Sequence, residues 1–231
     1  MAKFCTNCGK KLEEGQVCDC VKTAVTNNGN LFNECLEIAK NFLKKPIDTL
    51  KENTEESKVN HALVMLGING IAMGLFFMAI AKLLFNTVML KSGYGSLMSL
   101  AGAQVKIPYL KIFFIAFIVT VIVELLIATC CYLLSDKLFN GKTSVKKMIT
   151  LFGFSSIILT VAILAATILS FINIYISLFV LVAGLLLKSY YNYKGLEFVC
   201  DTDINKLGYV LMPSVLVVSV VVGYLLPKIS M

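Results

Sequence analysis

The apolar run from Tyr109 to Ser135, YLKIFFIAFIVTVIVELLIATCCYLLS, limits what this chain can become more than any other stretch. Its length of about 25 residues, with one acid near the middle, suits the roughly 30 Å hydrocarbon core of a bilayer. Lipid offers no partner to backbone N–H and C=O groups, so such a run must bond to itself as a transmembrane helix. Composition extends the point to the whole chain: 58% of its residues are hydrophobic and only 15% charged, against the ~25% charged share of soluble domains. The formal charge of +7 comes from lysine alone, because the sequence contains neither arginine nor tryptophan. That bias suggests an AT-rich bacterial coding sequence. In a membrane protein a basic balance reports orientation and contact with anionic lipid headgroups rather than nucleic acid.

The hydropathy pattern predicts an all-α integral membrane protein with five transmembrane helices, preceded by a small N-terminal zinc ribbon and an amphipathic helix. Expected spans are about 59–85, 109–135, 148–171, 174–193 and 207–226, within a membrane domain at 59–231. Asn173 marks a turn so short that the third and fourth spans must be antiparallel neighbours. Tyr190, Tyr191 and Tyr193 close the fourth span as an interfacial aromatic belt does. Pro213 is expected to bend or loosen the fifth span. The loop at 86–108 carries no clear pattern. Lysines cluster before the first span, between the second and third (Lys137, Lys142, Lys146, Lys147), and after the fourth (Lys188, Lys194, Lys206). Lys91, Lys106, Lys111 and Lys228 fall on the other side. The bias predicts a cytosolic N-terminus and an outer C-terminus in a bacterial cytoplasmic membrane. No apolar core opens the sequence, so no cleavable signal peptide is expected and the first span acts as the insertion signal.

Residues 1–22 carry four of the eight cysteines: Cys5, Cys8, Cys18 and Cys20. Four thiolates satisfy tetrahedral zinc. Cys5-x-x-Cys8-Gly9 has the form of a knuckle in which a tight turn lets backbone N–H groups reach the sulfurs; Cys18-Asp19-Cys20 is a shortened second half. A redox pair or disulfide clip is the alternative, but a reducing cytosol and paired spacing favour one structural zinc ion. Four cysteine ligands leave no open position for catalysis, so the metal's role is to fold a module too small for its own core. Residues 23–58 form a linker and the amphipathic juxtamembrane helix. In that helix Leu31, Phe32, Cys35, Leu36, Ala39, Phe42 and Leu43 share one face, while Asn33, Glu34, Glu37, Lys40, Lys44 and Lys45 fill the other. It ends before Pro46. Its expected place is the headgroup layer, with packing against the bundle as the alternative.

Inside the membrane the expected polar residues are Asn69 and Glu124. Ala116, Thr120, Glu124 and Ala128 recur every fourth residue, so Glu124 lies on the smallest face of its helix and should point into the bundle. Gly67, Gly70 and Gly74 give the first span a face that lets another helix approach closely. Asn69 and Glu124 sit at similar depth, roughly 15 Å from the cytoplasmic ends of their helices at 1.5 Å per residue, and are expected to hydrogen-bond each other. An ion or proton site at Glu124 is the functional alternative. His61 reads as an interfacial residue, and Cys130 and Cys131 as small apolar fillers. Gly141-Lys142-Thr143 lacks the preceding glycine of a phosphate loop. With no nucleophile and base, paired carboxylates or open metal, the sequence gives no catalytic site and the chain is expected not to be an enzyme.

The segment Phe139-Asn-Gly141-Lys142-Thr-Ser144-Val-Lys146-Lys147-Met-Ile-Thr-Leu-Phe-Gly153-Phe-Ser155-Ser156 resembles the basic turn into the third span of Yip-type membrane proteins. Leu43-Lys-Lys-Pro46-Ile-Asp-Thr-Leu50 is similar to the proline-containing lead-in that those proteins carry before their membrane domain. A zinc ribbon fused to such a domain resembles bacterial members. The resemblance covers roughly Phe42 to the C-terminus and implies five spans. Eukaryotic members are associated with small GTPases and vesicle traffic; that partner does not carry over to a bacterial chain, and no functional residue transfers. The expected function is a membrane-embedded adaptor or scaffold whose cytosolic ribbon binds a protein partner. A transporter or channel subunit working through Glu124 is the alternative. Nucleic acid is disfavoured, because Lys3, Lys10, Lys11 and Lys22 are offset by Glu13, Glu14 and Asp19 and only Phe4 offers a stacking ring. Self-association into a homo-oligomer is compatible with the sequence.

Overall fold

A computed structural model describes residues 3–4, 11–12, 31–91, 107–139, 141–200 and 204–230. Near the N-terminus β1 (Lys3–Phe4) and β2 (Lys11–Leu12) pair antiparallel, Lys3 opposite Leu12 and Phe4 opposite Lys11. The cysteines Cys5, Cys8, Cys18 and Cys20, and residues 92–106 of the loop expected at 86–108, lie outside the described residues. The remaining elements are α1 (Leu31–Lys44), α2 (Pro46–Asn53), a 3-10 turn (Glu56–Lys58), α3 (Val59–Lys91), α4 (Tyr109–Leu133) closed by a π turn (Leu134–Leu138), α5 (Val145–Ser170), α6 (Ile174–Val199) and α7 (Ile204–Ser230).

Five of these helices are long and apolar enough to cross a membrane, as the hydropathy pattern predicts. Several helix ends run past their expected places. α3 runs on through Lys91 rather than stopping near Phe85. α6 continues past Tyr193 to Val199, since Lys194 and Glu197 form an i,i+3 ion pair at 2.9 Å that suits a helix surface. α7 passes through Pro213 without interruption of the helix.

Helix α5 is the axis of the bundle. At its N-terminal end Ser144 caps it, the side chain accepting from Lys147 N–H at 3.3 Å. From Leu151 to Ile157 every residue is buried, so this part of the helix is enclosed on all sides. α3 packs along one side of α5 through Ala62, Met65, Asn69, Ala72 and Phe76, a seam spaced three and four residues apart. α6 packs along another, joined to α5 by a tight turn in which Asn173 Oδ1 accepts from Tyr175 N–H at 2.8 Å. α4 is peripheral: only Glu124, Ala128 and Cys131 of its residues are buried. α7 lies against α4 and α6.

The amphipathic helix packs against the bundle, the alternative to a place in the headgroup layer alone. α1 packs against α3 and α5, with Cys35, Ile38 and Phe42 buried in the same core as Leu151, Phe152 and Phe154. The Phe42 ring meets Tyr191 of α6 edge-on, centroids 5.6 Å apart. α2 buries Leu50, and Lys51 lies 5.9 Å above the Phe198 ring. Together α1 and α2 cap one end of the bundle. The headgroup layer alone does not account for this, because part of the apolar face matches a protein groove.

Candidate functional site

The bundle's buried polar groups are arranged around α5, and each follows from helical phase. On α4 the buried stripe is Glu124, Ala128, Cys131 and then Ser135, spaced four, three and four. On α6 it is Ser177, Gly184, Lys188, Asn192, Gly195 and Val199. Both stripes face inward, and Glu124 and Lys188 stand 15 and 14 residues beyond the starts of α4 and α6. At 1.5 Å per residue both lie about 21–22 Å along their helices, hence at one depth. There the Lys188 ammonium donates to Glu124 Oε1 in an ion pair whose side chains are 7% and 8% exposed.

The sequence reading paired Glu124 with Asn69, and the structure does not bring them together. Gly70 and Gly74 turn toward α4, where a Cβ on Gly70 would meet the Phe117 ring at 2.9 Å and one on Gly74 the Phe113 ring at 2.6 Å. Asn69 is one residue from Gly70 and so rotated by roughly 100°, which turns it away from α4 and toward α5. Its Oδ1 accepts from the Thr160 hydroxyl at 3.1 Å, a hydroxyl also 2.9 Å from the Ser156 carbonyl. Gly67 meets nothing within 4 Å at the position a Cβ would occupy, so it is not part of that close contact. Ala116 and Thr120, expected on the buried face of α4, instead line an open apolar groove of about 290 Å³ with Phe77, Ile112, Ile115 and Val119.

A further clasp joins α5 to α6: Ser155 Oγ donates to Asn192 Oδ1, both side chains buried. Glu124 Oε2 and Asn69 Nδ2 are among the buried atoms of the described residues that keep an unused bonding capacity, with His61 Nδ1, Ser135 Oγ and Thr143 Oγ1. The chemistry available is therefore that of a closed, charge-neutral pair. In apolar surroundings such a pair costs several kcal/mol of desolvation per ion and recovers it only through its partner. It fixes which helices meet, and in what register.

At the capped end, Glu34 of α1 accepts from His61 Nε2 at 2.8 Å and from Lys58 Nζ at 3.4 Å. The His61 hydrogen bond, then the Lys58 one, hold the Glu34 carboxyl below the usual 4.5. A folded value below the unfolded one stabilises the docked helix above about 4.5, and that contribution fades as pH falls through the folded value. Acidification below 4.5 should therefore speed proteolysis around α1, and Glu34→Gln should remove the pH step while leaving faster cleavage at neutral pH. An unchanged pH profile in Glu34→Gln would assign the step to another group. Burial pushes the Cys35 thiol upward, as it does that of Cys200, so both stay protonated and unreactive. His61, read as an interfacial residue, is thus a tether for α1.

Sequence reasoning missed Lys188, Thr160, Ser155 and Asn192. The signal for Lys188 was its phase with Gly184 and Gly195, which places a lysine on a face of small residues.

A profile of the Yip1 domain matches residues 40–225 of the chain. Searches among curated proteins and among solved structures returned no match.

Proposed function

The chain belongs to the Yip1 domain family, and on that premise we propose that it is a membrane-embedded adaptor whose N-terminal cysteine module recruits a protein partner beside the bilayer. In this reading Cys5, Cys8, Cys18 and Cys20 hold one structural zinc ion. The chain is not an enzyme, and the module stands on the cytosolic side of a bacterial cytoplasmic membrane, with the C-terminus outside. The observation that carries the reading is the cap formed by α1 and α2. Cys35, Ile38, Phe42 and Leu50 are buried in the core of the membrane bundle. The segment that follows the cysteine module is thereby fixed to the bundle, which suits a module that must be displayed at a set place on the membrane.

A second reading, transport through Glu124, draws support from the unpaired Glu124 Oε2 and Asn69 Nδ2. Against it, Lys188 neutralises Glu124, and neither residue lines the clefts at the cap or the groove between α3 and α4. The two readings separate in a crosslinking pull-down from native membranes, comparing the wild type with Cys8→Ser after equal insertion is established. The adaptor reading expects Cys8→Ser to lose both its zinc and a specific crosslinked partner. A partner set indifferent to Cys8 contradicts it.

A further inference from the structure

Helix α1 is apolar over a wider arc than the bundle covers. Taking 3.6 residues per turn, the buried Cys35, Ile38 and Phe42 fall within an arc of roughly 60°. Phe32, Leu36, Ala39 and Leu43 fall within a second arc of similar width, about 100° around the helix. Three of its residues are uncovered, Phe32 at 61% exposed, Leu36 at 43% and Leu43 at 53%, while Ala39 rests against the core. Asn33, Lys40 and Lys44 follow on the side away from the core and are exposed. The polar cleft between α1 and α2, lined in part by Glu34, Glu37, Asn41 and Glu52, lies on the opposite flank.

Seen along its axis, α1 therefore has the bundle below, a polar cleft on one side and an apolar stripe edged by lysines on the other. We infer that this stripe is inserted in the bilayer, at the headgroup and upper acyl level of the leaflet around the cap, so that α1 is held by the bundle and by lipid at once. The depth of α1 beside the membrane-spanning helices identifies the occupant. Phe42, next to Leu43, touches Tyr191, whose ring lies 5.4 Å from that of Tyr190. Tyr190 is 49% exposed on a membrane-spanning helix, as an interfacial aromatic is. Phe42 lies on the buried stripe, so this contact sets depth: the C-terminal end of α1 is level with the aromatic belt of α6. An interfacial helix buries its apolar face about 5–10 Å into the boundary between headgroups and acyl chains. Lys40 is placed to run its stem along that boundary and reach lipid phosphates. The inference rests on the membrane placement of the bundle and is independent of partner recruitment.

The absence of tryptophan from the chain makes the test clean, because an introduced tryptophan is the sole reporter. Leu36→Trp, Leu43→Trp and, as a control on the polar side, Asn33→Trp are each reconstituted as full-length protein in vesicles of phosphatidylcholine and phosphatidylglycerol, with and without bromine on the acyl chains. Leu36→Trp and Leu43→Trp are expected to emit at shorter wavelength than Asn33→Trp and to lose emission to brominated lipid, since their depth brings them to the acyl boundary. Asn33→Trp should respond to aqueous acrylamide instead. Aqueous emission from Leu36→Trp would overturn the inference. So would a blue-shifted emission that bromine leaves untouched, since that would mean protein covers the stripe. All three positions are exposed, so none of the substitutions disturbs the core.

Discussion

Replacing Lys188 by methionine, which keeps much of the side-chain volume and removes the charge, should destabilise the bundle by about 3 kcal/mol, because it strands Glu124 in apolar surroundings. The opposite single change, Glu124→Leu, should cost less. An ammonium on a flexible four-carbon stem can turn toward the membrane surface, whereas a short carboxyl stem cannot. The double change Glu124→Leu with Lys188→Met should return stability to within about 1 kcal/mol of the parent, since a well-packed apolar pair substitutes for a buried ion pair at little net cost. Reversible unfolding in mixed micelles would rank the four proteins. Additive losses in the double variant would mean that the two side chains do not act on each other. A penalty of only a few tenths for Lys188→Met would place the pair among the weak polar contacts common between membrane helices.

The second large effect is expected at Gly153. A Cβ placed there would sit 2.6 Å from both the Cβ and the carbonyl oxygen of Ala62, so the obstacle includes backbone that cannot swing aside. Gly153 lies in the fully enclosed part of α5, where neighbours on every side resist a shift. Gly153→Leu should therefore force α3 and α5 apart and cost about 3 kcal/mol or more. Gly67→Ala is the matched control. It faces open space, so the same class of change should be neutral or slightly favourable through helix propensity. If Gly153→Leu inserts and melts like the parent, the close approach of α3 to α5 is not what holds the seam.

The architecture was readable because membrane spans announce themselves by length and hydropathy, and the turn at Asn173 left the third and fourth spans no option but to lie side by side. The polar contacts were less readable. Lys188 groups by charge with Lys194 and Lys206 as a loop lysine, although the expected span at 174–193 already encloses it. The helix runs on to Val199, and Tyr190 and Tyr191 occupy its surface before its end. Shared depth and the close approach at Gly70 and Gly74 pair Asn69 with Glu124 in the sequence, but Gly70 itself faces α4, which rotates the adjacent Asn69 toward α5. In α1 the breadth of the apolar arc was legible, but how the arc divides between covered and exposed halves depends on contacts with Tyr191 and the start of α5 that no local pattern encodes. The cysteine spacing at the N-terminus carries its own argument, which rests on ligand chemistry rather than on packing.

The division of labour proposed for the chain is a bundle that holds its shape through Glu124 and Lys188 and a cysteine module that makes the functional contact. The most direct test is one crosslinking comparison from native membranes of the wild type, Cys8→Ser, and the Glu124→Leu, Lys188→Met double variant, read by mass spectrometry. The double variant should keep the wild-type partner set, and Cys8→Ser alone should lose it. Partner loss in the well-folded double variant, with Cys8→Ser unaffected, would contradict the account and move function to the buried pair.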